Sequence, residues 1–153
     1  MPSLFLSVAL LTSGIVAGVL LGGELGMVPL FMTLPADRYV QAHSFVAGRY
    51  DPFQPLCLLT AAICDVVLVT TLSSTPARIV CGVAALVALS VGVVSRTHTA
   101  PMGRWLKTLD PASLPADWES STFRRRWARW NRTRTAMAIT VLVLNVAAAS
   151  ILL

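Results

Sequence analysis

Three residues bring reactive groups to an otherwise apolar chain: Glu24, His43 and His98. The two histidines are the only ones in its 153 residues. An imidazole titrates near neutral pH and is also a common metal ligand. Two imidazoles and one carboxylate match the ligand set of an open-sided iron site, and imidazoles equally suit copper or zinc. Iron or copper are therefore candidate cofactors, with a cofactor-free site as the alternative. The spacing does not join the three residues, which lie far apart in the chain. Glu24 stands inside an apolar run, where a carboxylate costs about 3 kcal/mol at mid-bilayer and normally faces a cavity or a partner. Three readings stay open for it: an ion pair with Arg132 or Arg134, a metal ligand, or a proton-transfer group.

The elements that must position these groups are membrane helices. Apolar runs cover residues 4–32, 53–72, 79–94 and 136–153, and they hold no Lys or Arg and only two acids, Glu24 and Asp65. About 20 apolar residues cross the hydrocarbon. Charged residues make up 12% of the chain, about half the share of a soluble domain. The expected fold is all-α: one integral membrane domain over residues 1–153, a four-helix transmembrane bundle with a cytoplasmic amphipathic helix before helix two. Of the twelve basic residues, Arg38 and Arg49 lie between the first and second runs and nine lie between the third and fourth, leaving only Arg78 between the second and third. Cytoplasmic loops carry the excess of Lys and Arg. Segments 33–52 and 95–135 are thus expected in the cytoplasm, with both termini outside a plasma (inner) membrane. The net charge of +5 is then placed beside anionic headgroups, and no nucleic-acid partner is expected.

Within the runs, Gly14, Gly18, Gly22 and Gly26 form one stripe that admits close approach of a second helix. That helix belongs either to the same chain, the reading favoured, or to another copy in a homo-oligomer. Cys57, Cys64 and Cys81 form no CxxC pair and read as buried small hydrophobes, although Cys57 and Cys64 share a helix face. Asp65 is expected to face the bundle and meet Asn145 at similar depth, with a proton path as the alternative. Pro35 and Asp37 suit the start of a helix that carries Tyr39 and His43 on one face. Asp51, Pro52 and Pro55 punctuate the start of the second span, and Ser73 to Pro76 suits a tight turn between antiparallel neighbours. After Arg96, three prolines predict an irregular start, with a helix resuming near Asp117. On it Trp127, Asn131 and Arg134 recur at i, i+4 and i+7, and that face runs on into the fourth span. Trp105, Trp118, Trp127 and Trp130 place this segment at headgroup level. Arg124, Arg125 and Arg126 read as a lipid-facing collar.

Taken in order, Gly22-Gly23-Glu24-Leu25-Gly26-Met27-Val28-Pro29, then Tyr39, His43 and the Asp51 to Pro55 segment, then Pro101-Met102, Leu114-Pro115-Ala116-Asp117-Trp118 and the run from Arg126 to Arg134 resemble the DUF1772 or anthrone-oxygenase-like family of small four-helix membrane proteins. The resemblance covers most of the chain. Its third-loop element here reads Thr99-Ala100-Pro101-Met102-Gly103, without the family's flanking Asn residues, and Asn131 stands where His is common. Fungal relatives are implicated in oxygenating anthrones to anthraquinones. The resemblance implies an oxidative enzyme acting on a hydrophobic, polyketide-like aromatic at the cytoplasmic interface. Glu24, His43 and His98 would be bases or ligands, and Arg134 would anchor a phenolate. Tyr39, Trp127 and Asn131 would bind substrate. A positioned base could deprotonate an acidic carbon for attack on oxygen. Two other classes fit the same residues: a non-enzymatic membrane subunit or lipophilic-ligand binder, and a proton-coupled carrier using Glu24 and Asp65, disfavoured by the lack of an internal repeat.

Overall fold

The computed structural model describes residues 1–50, 53–116, 118 and 120–152. The described residues form helices and turns only. The first apolar run becomes α1 (Pro2–Gly22), a π-helical turn (Gly23–Met27) and α2 (Val28–Thr33). Then come α3 (Ala36–Tyr50), α4 (Phe53–Thr71) and α5 (Thr75–Val94). A second π-helical turn (Ser95–Thr99) leads into α6 (Ala100–Leu106), and α7 (Ser120–Leu152) completes the fold. Asp51, Pro52 and Asp117, assigned to helix boundaries from the sequence, lie outside the described residues.

The architecture is a four-helix bundle in which α1 packs on α4, α4 on α5, α5 on α7 and α7 on α1. α4 and α5 are antiparallel, because a connection as short as that between Thr71 and Thr75 leaves no other option. Arg78 Nε closes that turn on the Val69 carbonyl at 2.7 Å. Four helices have the length and hydropathy to span a membrane. Large side chains such as Leu4, Leu11, Leu56, Ile63, Leu86 and Val143 stand more than half exposed around the bundle. That belt suits lipid rather than water. The seams between helices are instead lined with small residues: Ala9, Ala17, Ala61, Ala84, Ala88, Ala138 and Ala148 are buried. Small side chains let backbones approach, which is how helices associate in lipid.

Three of the four stripe glycines take no part in these seams. A Cβ at Gly14 would meet only Leu142, and at Gly18, Gly22 and Gly26 it would meet nothing within 4 Å. The favoured reading, packing within the chain, holds for Gly14 alone and is corrected for the rest: alanines make the close contacts, and Gly18, Gly22 and Gly26 face outward. The three cysteines are buried free thiols, as their surroundings predicted. Asp65 and Asn145 are both fully buried in the bundle. Asn145 Nδ2 lies 3.5 Å from Ser13 Oγ, and the Asn145 amide also acts on the Asp65 carboxyl, as expected, without the geometry of a full hydrogen bond.

α7 is 33 residues long, about 50 Å at the standard rise. It exceeds the hydrocarbon thickness of about 30 Å, so its arginine-rich first half projects past the spans. Its buried residues are Arg124, Ala128, Asn131, Thr135, Ala138, Val141, Asn145 and Ala148. The spacing of three and four is one uninterrupted face, as the sequence predicted. Arg124 departs from the expected collar. Its Nη1 donates to the carbonyls of Phe31 at 3.1 Å and Leu34 at 2.6 Å, and its guanidinium lies 4.5 Å from the centre of the Tyr39 ring. The cation thereby satisfies the open carbonyls at the end of α2 and fastens the cap of the bundle. Only Arg125 and Arg126 remain exposed.

The segment after Arg96 also departs from expectation, since it continues as helix to Leu106. Both π turns have the same cause. Val28 N–H bonds the Gly23 carbonyl and Ala100 N–H bonds the Ser95 carbonyl, each reaching back five residues. The next residue is a proline in each case, Pro29 and Pro101. A proline inside a helix has no N–H to give and its ring presses on the carbonyl four residues back. Widening the preceding turn relieves that clash without ending the helix.

Candidate functional site

The two π turns stand on opposite sides of a cavity at the arginine-rich end of the bundle. Its volume is about 470 Å³, within the usual range for a small-molecule site. The wall is apolar toward the bundle, with Leu20, Leu58, Val91, Met27 and Phe31. Toward the cap it is polar: His43, Thr99, Asn131, Arg134, Arg96 and Arg104 line it, with Trp127 between. No Asp or Glu is among its described lining residues.

α3 supplies His43 from a buried face that also holds Tyr39 and Val40. The ring is packed at 5.4 Å from Phe31 and 4.7 Å from Trp127. His43 Nδ1 meets Tyr39 Oη at 3.1 Å, which leaves Nε2 as the ring nitrogen available to an occupant. Burial, with Lys107 adding like charge, lowers the pKa of His43 to about 4. The imidazole is neutral at physiological pH, and burial makes it a weaker base than a free histidine. Burial also raises the Tyr39 phenol, against the opposing effect of Arg124, so Tyr39 stays a protonated partner of His43. Tyr39 has no exposed surface and does not line the cavity. The structure thus places Tyr39 behind His43 rather than on the cavity wall where a substrate contact was expected.

Glu24 lies in the first π turn and does not line the cavity either. Its carboxylate accepts from Arg132 Nε at 2.9 Å and from Asn131 Nδ2 at 3.0 Å. The ion-pair reading of Glu24 is the one the structure contains. Its second contact has a consequence for the cavity. By taking the Asn131 amide nitrogen, Glu24 decides which way that side chain faces and leaves Oδ1 without a partner among the described residues. Arg134 Nη1 donates to Thr99 Oγ1 at 2.8 Å, tying α7 to the second π turn. Trp127, Asn131 and Arg134 are thus brought together around one space, as their spacing suggested.

His98 is not brought to that space. Its ring stacks on Trp130 at 3.6 Å and 5°, in a separate open groove with Trp105, Phe123 and Arg126. Glu24, His43 and His98 therefore do not converge, and the ligand triad expected from their residue types is not formed. Among the described residues no group of three His, Cys, Asp or Glu side chains is placed to hold a metal ion. Sequence reasoning missed Arg96, Thr99 and Arg104 as cavity residues. Their signal was present: residues 96, 99, 100, 103 and 104 fall on one helical face, once Pro101 is read as sitting inside a helix.

Fold and site define a class: a small membrane-spanning four-helix bundle with a polar, cationic chamber at one end. Sequence comparison assigns the family. A family described as anthrone oxygenase matches residues 42–144, more than half of the chain, and the protein belongs to that family. The matched stretch includes His43, Thr99, Asn131 and Arg134 and ends before Asn145. Comparison with curated proteins and with solved structures found no match.

Proposed function

We propose that the protein is a membrane-embedded oxygenase of anthrone-like substrates: planar, hydrophobic aromatic ketones with an acidic CH₂ beside the rings. The observation that carries this reading is the convergence of a neutral His43, Arg134 and Asn131 on a chamber otherwise walled by apolar and aromatic side chains. The family match supports the oxygen chemistry. His43 Nε2 accepts a proton from the acidic carbon while Nδ1–H donates to Tyr39 Oη, and the negative charge forming on the bound substrate offsets the burial that otherwise disfavours the imidazolium. Arg134 stabilises the negative charge that moves to the ketone oxygen. The carbanion adds to dioxygen, and the peroxide takes the proton from His43. Loss of the second C–H proton and cleavage of the O–O bond then give the quinone carbonyl and one water. One oxygen atom of O₂ stays in the product and the other leaves as water. The chamber is proposed to open at the cytoplasmic face of the plasma membrane, with both termini on the other side.

The test is anthrone turnover by detergent-purified protein under ¹⁸O₂, against a buffer blank. Incorporation of one labelled atom is expected, at a rate reduced 100-fold or more in His43→Phe and Arg134→Gln, a typical loss for a base or charge-stabilising group. Turnover no faster than the blank would leave the alternative, a lipophilic-ligand binder, as the reading of the chamber.

A further inference from the structure

The mouth of the chamber carries more positive charge than the proposed chemistry uses. Arg134 alone serves the developing oxyanion. Arg96, on the second π turn, and Arg104, on α6, line the same space, and both are exposed. Neither has a hydrogen-bond or ion-pair partner among the described residues. The described carboxylates are committed elsewhere or distant. Glu24 is bonded to Arg132 and Asn131, and Asp37 lies beside Arg38. Asp110 accepts from the Ala112 amide, and Asp65 is in the middle of the spans. Electrostatics at a low-dielectric mouth of one sign favour an occupant of the other sign.

We infer that the chamber takes an amphiphilic carboxylate, with its apolar body against Leu20, Leu58 and Phe31 and its carboxylate held by Arg96 and Arg104. This deepens the proposed function by naming a second group on the substrate, remote from the reacting carbon. The two arginines lie eight residues apart, one on the second π turn and one on α6, and both line the chamber. Guanidinium is the side chain best matched to a carboxylate, through paired N–H donors. Binding energy from such a remote group orients the reacting part of a substrate. The same chemistry is offered by a ring carboxylic acid and by a free fatty acid of the membrane, and the probes must separate the two.

The experiment is equilibrium binding without oxygen, read by tryptophan fluorescence in a non-ionic detergent. The probes are anthraquinone-2-carboxylate, its neutral carboxamide and oleate. The ring acid is expected to bind about tenfold or more tightly than the amide at low salt, with the gap narrowing as salt screens the exposed arginines. In Arg96→Gln/Arg104→Gln the gap is expected to close to within about twofold, while amide affinity, the internal measure of an intact chamber, is kept. Arg125→Gln/Arg129→Gln removes the same charge from outside the cavity and should preserve the preference. Equal affinity for acid and amide in the wild type would overturn the inference. So would an equal loss in the Arg125/Arg129 variant, which would assign the effect to the general field of the basic face. Either ranking of the two acids supports the carboxylate site and names its source, the ring acid if it binds more tightly and a lipid acid if oleate does. Because no turnover is measured, acid preference without oxygenation would remove the proposed enzyme and leave this site. Oxygenation without acid preference would do the reverse.

Discussion

At the scale of single residues, His43 carries the most physical information. It is packed among Phe31, Tyr39 and Trp127, and burial with Lys107 holds its pKa at about 4 rather than 6.5. The depressed value makes a stability prediction. Below pH 6.5 the unfolded chain takes up a proton at this site that the folded protein refuses. Stability attached to His43 is therefore fully present above pH 6.5 and is lost as the pH falls toward 4. The expected loss is about 3 kcal/mol. It is checked by denaturant unfolding in detergent between pH 7 and pH 4, wild type beside His43→Gln. The variant should show a flatter profile, and identical profiles would mean that the imidazole is not desolvated. Glu24 shows how far residue type alone could be read. A lone carboxylate in an apolar run demands a partner, and the partner, Arg132, was among those expected. That it also holds Asn131 was not legible, because a separation of 107 positions is closed only by the packing of α1 against α7.

At the scale of elements, the outward glycine stripe makes a sharp prediction. In water, Ala is a better helix former than Gly by about 1 kcal/mol per site, and a Cβ at Gly18 or Gly22 meets no atom within 4 Å. Gly18→Ala/Gly22→Ala is expected to leave the unfolding midpoint of the monomer unchanged or raised. A fall of more than about 1 kcal/mol would show that the stripe packs within the chain after all. Cross-linking of the same variant reads the separate expectation of a homo-oligomer, which would lose its close contact. The four spans were legible because hydrocarbon demands uninterrupted apolar runs. The two π turns were not, because Pro29 and Pro101 read equally as helix ends. What carries the helix through each proline is a backbone bond reaching five residues back, and side-chain periodicity does not report it. Arg96 and Arg104 were hidden for another reason. A charge bias that sets topology accounts for any arginine in the loop, so it gave no cause to look for those that face inward.

At the scale of the whole molecule, the distribution of charge makes one coherent object of the fold and the site. The chamber lies where α7 leaves the spans and where α3 and α6 close over the bundle, so the arginines that flank the spans at that end are also those around its mouth. The opposite end has only Arg78, and that cation is bonded to the Val69 carbonyl. Eleven basic residues at one end against one at the other leave insertion little choice if short-loop Lys and Arg decide orientation. A C-terminal alkaline phosphatase fusion is therefore expected to be active in intact bacterial cells, and a C-terminal green fluorescent fusion dark. The converse pattern would turn the chamber to the outside, where it would have to draw its substrate from the external leaflet. In a variant with Arg125, Arg126, Arg129 and Arg132 changed to Gln, seven basic residues still stand against one. The same orientation should persist, because Arg38, Arg49, Arg96, Arg104, Lys107, Arg124 and Arg134 remain on that end. A reversal in that variant would mean that the first half of α7 alone sets topology, and that the arginines of the mouth are free to be read purely as parts of the site.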